Sequence, residues 1–80
     1  MPVGPNGGLL VYTIYGRPAD HPGSPYIVRP FEVLDGAPRP LPYVWSASTL
    51  DLARAIIPPS ADTCIPRFPD DEPQIVESWM

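Results

Sequence analysis

Lysine is absent from the chain, and cysteine and histidine occur once each, as Cys64 and His21. A lone cysteine cannot close an intramolecular disulfide, so the fold must hold without crosslinks, as suits a reducing compartment. One cysteine and one histidine are also too few for a zinc site built from those ligands. With no lysine, the positive charge rests on Arg17, Arg29, Arg39, Arg54 and Arg67, against nine acidic residues and a formal net charge of −4. The arginines are spread along the chain and form no local basic cluster. Affinity for phosphate backbones comes mainly from neutralising charge, so direct nucleic-acid binding is not expected. A protein partner with a basic surface suits this balance better.

Long apolar runs are missing as well. The longest, Leu9 to Tyr15, is far short of the roughly 20 residues that cross a bilayer, and the first residues carry no basic signal-peptide start. A cytoplasmic protein with no membrane association is expected.

Proline is the abundant residue, fourteen of the 80. A chain of this length forms one small domain, residues 1–80, and buries only about 60% of the surface that it exposes when unfolded. Residues 1–8, with Pro2, Gly4, Pro5, Gly7 and Gly8, read as a flexible lead-in. Leu9 to Tyr15 is the best strand, rich in β-branched and aromatic residues. A loop follows from Gly16 to Pro25. Tyr26 to Leu34 is a second strand whose Pro30 argues for a sheet edge or a bulge. Asp35-Gly36 marks a turn, and Pro38, Pro40 and Pro42 suggest an extended polyproline connector. Ser48-x-x-Asp51 has the spacing of a capping box before a helix with Leu50, Ala53 and Ile57 on one face, ended by Pro58-Pro59. Ser60 to Glu72 reads as a loop, and residues 73–80 as a last strand.

The fold class expected from this order is α+β: a three-stranded antiparallel sheet of order 3-1-2, with one short helix on one face and long proline-rich loops. Leu9 to Tyr15 takes the centre because it holds no proline. Leu10, Tyr12 and Ile14 then point one way and Leu9, Val11, Thr13 and Tyr15 the other. One helix covers one face only. Tyr43 and Trp45 are expected to fold over the second as a lid, or that face docks a second copy of the chain or another protein.

The candidate chemistry is sparse. Cys64 and His21 are the only nucleophile and base of their kind, and nothing in the spacing links them, so no catalytic residues are assigned and no enzyme is expected. Asp70, Asp71 and Glu72 are the one dense carboxylate group. They lack the alternating spacing and the glycine of a calcium loop, so no metal or cofactor is expected there. They serve either as a solvated guard of the following strand or as an acidic docking site for a partner's cations. Gly4-Pro5-Asn6-Gly7-Gly8 precedes a strand and is followed by no lysine, which excludes a phosphate-binding loop. Arg39-Pro40-Leu41-Pro42 faintly matches the core of a proline-rich ligand, but a stiff connector is the better reading.

Four stretches carry a resemblance: Tyr15 to Pro22; Val28-Arg29 with Phe31-Glu32-Val33; Leu50 to Pro58; and Pro66 to Met80, which closes in Asp-Asp-x-Pro-x-Ile-Val-Glu-x-Trp. Through them the chain resembles a group of short proteins common in alphaproteobacterial genomes and their phages. The resemblance brings relatives without bringing an activity. It implies a mobile-element origin, where small acidic proteins often inhibit host machinery. Anti-CRISPR proteins, which bind effector complexes carrying basic channels for RNA and DNA, are the class that fits. The expected function is thus a non-enzymatic phage or prophage inhibitor that binds a type I CRISPR effector complex and blocks target DNA recognition. Its expected docking residues are Asp70, Asp71, Glu72, Tyr43 and Trp45. A host accessory interaction module, possible as a homodimer, is the competing reading.

Overall fold

The structure is a computed structural model, and it describes residues 3–16, 23, 25–66 and 74–80. Leu9–Gly16 forms β1 and Tyr26–Leu34 forms β2, antiparallel from Leu9↔Val33 to Gly16↔Tyr26. Asp35 and Gly36 reverse the chain with φ of 53° and 76°, the left-handed pair that a two-residue hairpin turn requires and that Asp-Gly favours. The chain returns as β3 (Ala37–Pro40) along the second half of β2. After a break at 41–44, β4 (Trp45–Ala47) pairs with the first half of β2 on the same edge. Helix α1 (Leu50–Ile56), β5 (Cys64–Pro66) and β6 (Ile75–Trp79) complete the described elements. All pairings are antiparallel, and the order is β3-β2-β1-β6-β5 with β4 beside β2.

This corrects the expected three-stranded sheet of order 3-1-2. The described residues are mostly sheet, with six strands and one short helix. The segments read as polyproline connector and as loop supply β3 and β5, and Trp45, read as part of a lid, opens β4. Nor is β2 an edge strand, since β1 lies along one side and β3 and β4 share the other.

Hydrogen-bond parity explains how the prolines fit. In a strand the N–H and C=O of one residue point to the same neighbour, and alternate residues point to opposite neighbours. Leu41 donates its N–H to the Pro30 carbonyl at 3.0 Å, so Pro30 turns its polar edge toward β3 and β4. The N–H that it lacks would point into the break at 41–44, where no ladder bond is needed. The same bond places the N–H groups of odd-numbered residues in β3 toward β2. Pro38 and Pro40 therefore turn their nitrogens to the open edge, where they leave no gap in the ladder and discourage another strand from adding.

The core lies between the sheet and α1. Leu10, Tyr12 and Ile14 of β1 share this face with Tyr26, Val28, Pro30 and Glu32 of β2. Tyr12, Ile14, Val28, Ala47, Ala53 and Ala61 form the buried cluster. Ala53 is wholly buried, and its small side chain lets the helix sit close to the sheet. Thr49, rather than Ser48, caps the helix: its hydroxyl accepts from the Leu52 N–H at 3.1 Å. Ile57, next to Pro58, has left helical geometry (φ −70°, ψ 128°).

Trp45 lies opposite Val28, so it belongs to the helix face and stacks against Tyr12 with ring centroids 6.3 Å apart. It is thus no lid over Leu9, Val11 and Tyr15, which lie on the other face. There Thr13 and Ile27 are buried, and Leu9, Val11 and Tyr15 are partly so.

Residues 3–8, read as a lead-in, are tied down. Val3 bridges Leu9, and Gly4 and Gly8 pair through Gly4 N–H to Gly8 O at 2.7 Å. The turn wraps the buried Glu32 carboxylate, which accepts from the Asn6 N–H (2.8 Å), the Asn6 side-chain amide (2.9 Å) and the Gly8 N–H (3.0 Å). Burial pushes the Glu32 pKa up, but these bonds and the charge of Arg39 outweigh it and leave it lowered. A methyl on Gly8 would collide with the Val33 carbonyl oxygen, and one on Gly4 with the Glu32 carboxylate. Gly8→Ala should therefore destabilise the domain by about 2 kcal/mol or more. Gly23→Ala, whose methyl meets open space, should stay within about 0.5 kcal/mol, both changes being read by urea unfolding.

Candidate functional site

Besides Glu32, the helix face of the sheet carries a second buried carboxylate, that of Glu77. Ile14↔Glu77 pairing turns Glu77 of β6 inward with the core residue Ile14, and Trp79, two residues on, shares that face. Glu77 is 6% exposed. Its Oε1 accepts from Arg54 Nε at 3.0 Å and Arg54 Nη2 at 2.7 Å. Its Oε2 accepts from the Trp79 indole Nε1 at 2.7 Å and the Cys64 thiol at 3.2 Å. Helix α1, β5 and β6 therefore meet on one side chain. Burial pushes its pKa up, but bonds from Arg54, Cys64 and Trp79 and the Arg54 charge outweigh this and hold it below the ordinary carboxylate range.

The same arrangement quiets Cys64. Desolvation, its hydrogen bond to Glu77 and the charge of Glu77 all raise the thiol pKa, with only Arg54 opposing. The sulfur is held as a protonated donor, a poor nucleophile near neutral pH. Tyr12 is likewise raised, by burial and by Tyr43. His21, the other half of the one conceivable nucleophile–base pair, lies outside the described residues. Among the described residues no group of three or more His, Cys, Asp and Glu side chains could hold a metal ion.

Two surface features flank the hub. Tyr43 and Trp45 form an edge-to-face pair with centroids 5.1 Å apart, and they remain 47% and 37% exposed. Trp45 rests on the buried Tyr12, which in turn lies opposite Trp79 in the β1–β6 ladder. On the other side of the hub a cleft of about 360 Å³ opens beyond the end of α1. Its described walls are Ile57, Pro58, Pro59, Ala61 and Trp79, with Arg54 and Asp62 at the rim.

Of the docking residues expected from the sequence, Tyr43 and Trp45 are thus brought together. Asp70, Asp71 and Glu72 lie outside the described residues. Glu77, Arg54 and Trp79 were not singled out. Their signal was a glutamate in step with the core-facing positions of an apolar strand, a place where a charge demands partners. Among the described residues no helix is long and apolar enough to cross a membrane. No family model, curated protein or solved structure matches the chain.

Glu77→Leu strips the acceptor from the indole and the thiol, and should destabilise the domain by roughly 2 kcal/mol in urea unfolding. Glu77→Gln, which keeps an acceptor oxygen, should lose less. Both Glu32 and Glu77 have lowered native pKa values, so their contribution is complete above about pH 5 and fades as pH falls through those values. The urea midpoint of the native chain should fall with acidification in that range, and that of Glu77→Leu should fall less steeply.

Proposed function

We propose that the protein works by binding another protein, without catalysis, through the Tyr43–Trp45 surface. The exposed aromatic pair carries this reading. Tyrosine and tryptophan dominate the energetics of protein interfaces, and they do so most when already held in place. Here Trp45 is braced by Tyr12 beneath it and Tyr43 beside it. The muted Cys64 thiol supports binding over covalent chemistry.

The partner in this proposal is a type I CRISPR effector complex of a bacterial host, blocked in target DNA recognition within the cytoplasm. Net charge −4 with no lysine supports a basic partner surface. The phage link rests on the sequence resemblance alone. The test is target DNA binding by a purified type I effector complex. Wild-type protein should reduce it, and Tyr43→Ala with Trp45→Ala should weaken the inhibition about tenfold or more. Tyr43→Ala alone, at an exposed position, guards against a folding artefact. Reversing Asp70, Asp71 and Glu72 to lysine should also weaken inhibition, less so at high salt as screening shortens below about 8 Å. No inhibition by the wild type would overturn the choice of partner, and inhibition indifferent to both aromatic changes would overturn the surface.

A further inference from the structure

The cleft beyond α1 has features that the Tyr43–Trp45 surface does not explain. Its aromatic wall is fixed, because the Trp79 indole N–H is spent on Glu77 at 2.7 Å and the ring cannot turn without breaking that bond. Its backbone offers little to a guest that needs a ladder. Ile57 donates its N–H to Arg54 O at 3.2 Å and Ala61 to Pro58 O at 3.0 Å, while Pro58 and Pro59 have no N–H to give. This leaves few N–H groups among residues 57–61 for an extended strand to pair with. A polyproline II segment makes no backbone ladder and presents apolar ring faces to an aromatic wall.

The rim selects charge. Arg54 is neutralised by Glu77 through Nε and Nη2, and among the described residues its Nη1 meets Asp51 at 3.9 Å. That arm can donate to a carbonyl of the guest. Asp62 is exposed, and its carboxylate accepts from the Thr63 hydroxyl at a long 3.4 Å. Among the described residues the charge left at the rim is therefore negative, which suits a cation on the guest. At about 360 Å³ the cleft falls in the size range of ligand sites, and with a single aromatic among its described walls it does not form the aromatic cage that a quaternary ammonium needs.

We infer that this cleft binds a proline-rich segment of a partner protein in polyproline II conformation, with its prolines on Trp79 and an adjacent arginine on Asp62. This goes beyond the aromatic-pair reading and does not depend on it. The test uses the full chain carrying Trp45→Phe, so that Trp79 alone reports fluorescence, with amide NMR shifts as the map. The probes are three capped peptides of roughly ten residues: proline- and leucine-rich with one arginine, the same with alanine for proline, and the same with glutamate for arginine. The first should bind saturably below about 1 mM, with shifts at residues 57–62 and Trp79. The other two should bind about tenfold more weakly. Asp62→Lys should weaken the arginine peptide about tenfold and strengthen the glutamate peptide, a charge swap that mere loss of folding could not produce. No saturation by the first peptide, equal binding of all three, or shifts confined to residues 43–45 would overturn the assignment.

Discussion

A chain with a proline at about every sixth position can hold a sheet only where the missing N–H groups fall outside its ladders. Parity decides this residue by residue. Pro30 sits in a strand paired on both sides, yet its nitrogen faces the interval between β3 and β4. Pro38 and Pro40 are two residues apart, so both nitrogens face the same, open side of β3. The β2 edge is split between two short strands rather than matched to one long one, and the split falls at the proline. The rest of the sheet follows, because β2 pairs with β1 along its length and β1 then takes β6 on its far side.

A thin core without crosslinks needs long-range ties, and here two buried glutamates provide them. Glu32 gathers residues 4–8, and Glu77 gathers α1, β5 and Trp79. Each carboxylate accepts several hydrogen bonds, which is the condition under which a buried charge is tolerable. Both also face the same side of the sheet as the apolar core. A shift of either strand by one residue would expose the carboxylate and leave its donors unpaired, so these ties fix register as well as adding stability.

Strong local patterns were legible and exceptions were not. The run Leu9 to Tyr15, the helix ending before Pro58-Pro59, the Asp35-Gly36 turn and a last strand near residues 75–79 could all be read from propensity and punctuation. The strand β3 could not, because the alternating Pro38, Pro40 and Pro42 argue for polyproline until the parity of the partner strand is known, and β4, at three residues, is too short to show a pattern. The Asp-Gly turn was the contrary signal, since it specifies a hairpin and hence a strand on its far side. For β5, three residues are too short for any periodicity to show. Tyr43 and Trp45 were recognised as surface-forming, but their face was misjudged, because only the register of β4 against Val28 sets it. Glu77 looked like an ordinary strand residue, and its donors lie 13 and 23 positions away in Cys64 and Arg54.

The short helix links this architecture to the proposed binding. Seven helical residues pack over β2 and β4 and leave aromatic side chains of that sheet face partly exposed. Tyr12 stays buried between them, with Trp45 against its ring and Trp79 opposite it across the ladder. Each emerging aromatic is held by something that folding already requires: Trp45 by Tyr12, and Trp79 by the carboxylate that anchors α1. The entropy of ordering these rings is therefore lost on folding and is not charged again to association. A small domain with a modest interface gains most from such preorganisation, because it has little area with which to offset the cost of immobilising loose side chains. On the proposed binding at the cleft, Glu77 would couple stability to recognition: a change there frees the Trp79 ring, and a guest on Trp79 would in turn favour the folded arrangement of α1, β5 and β6.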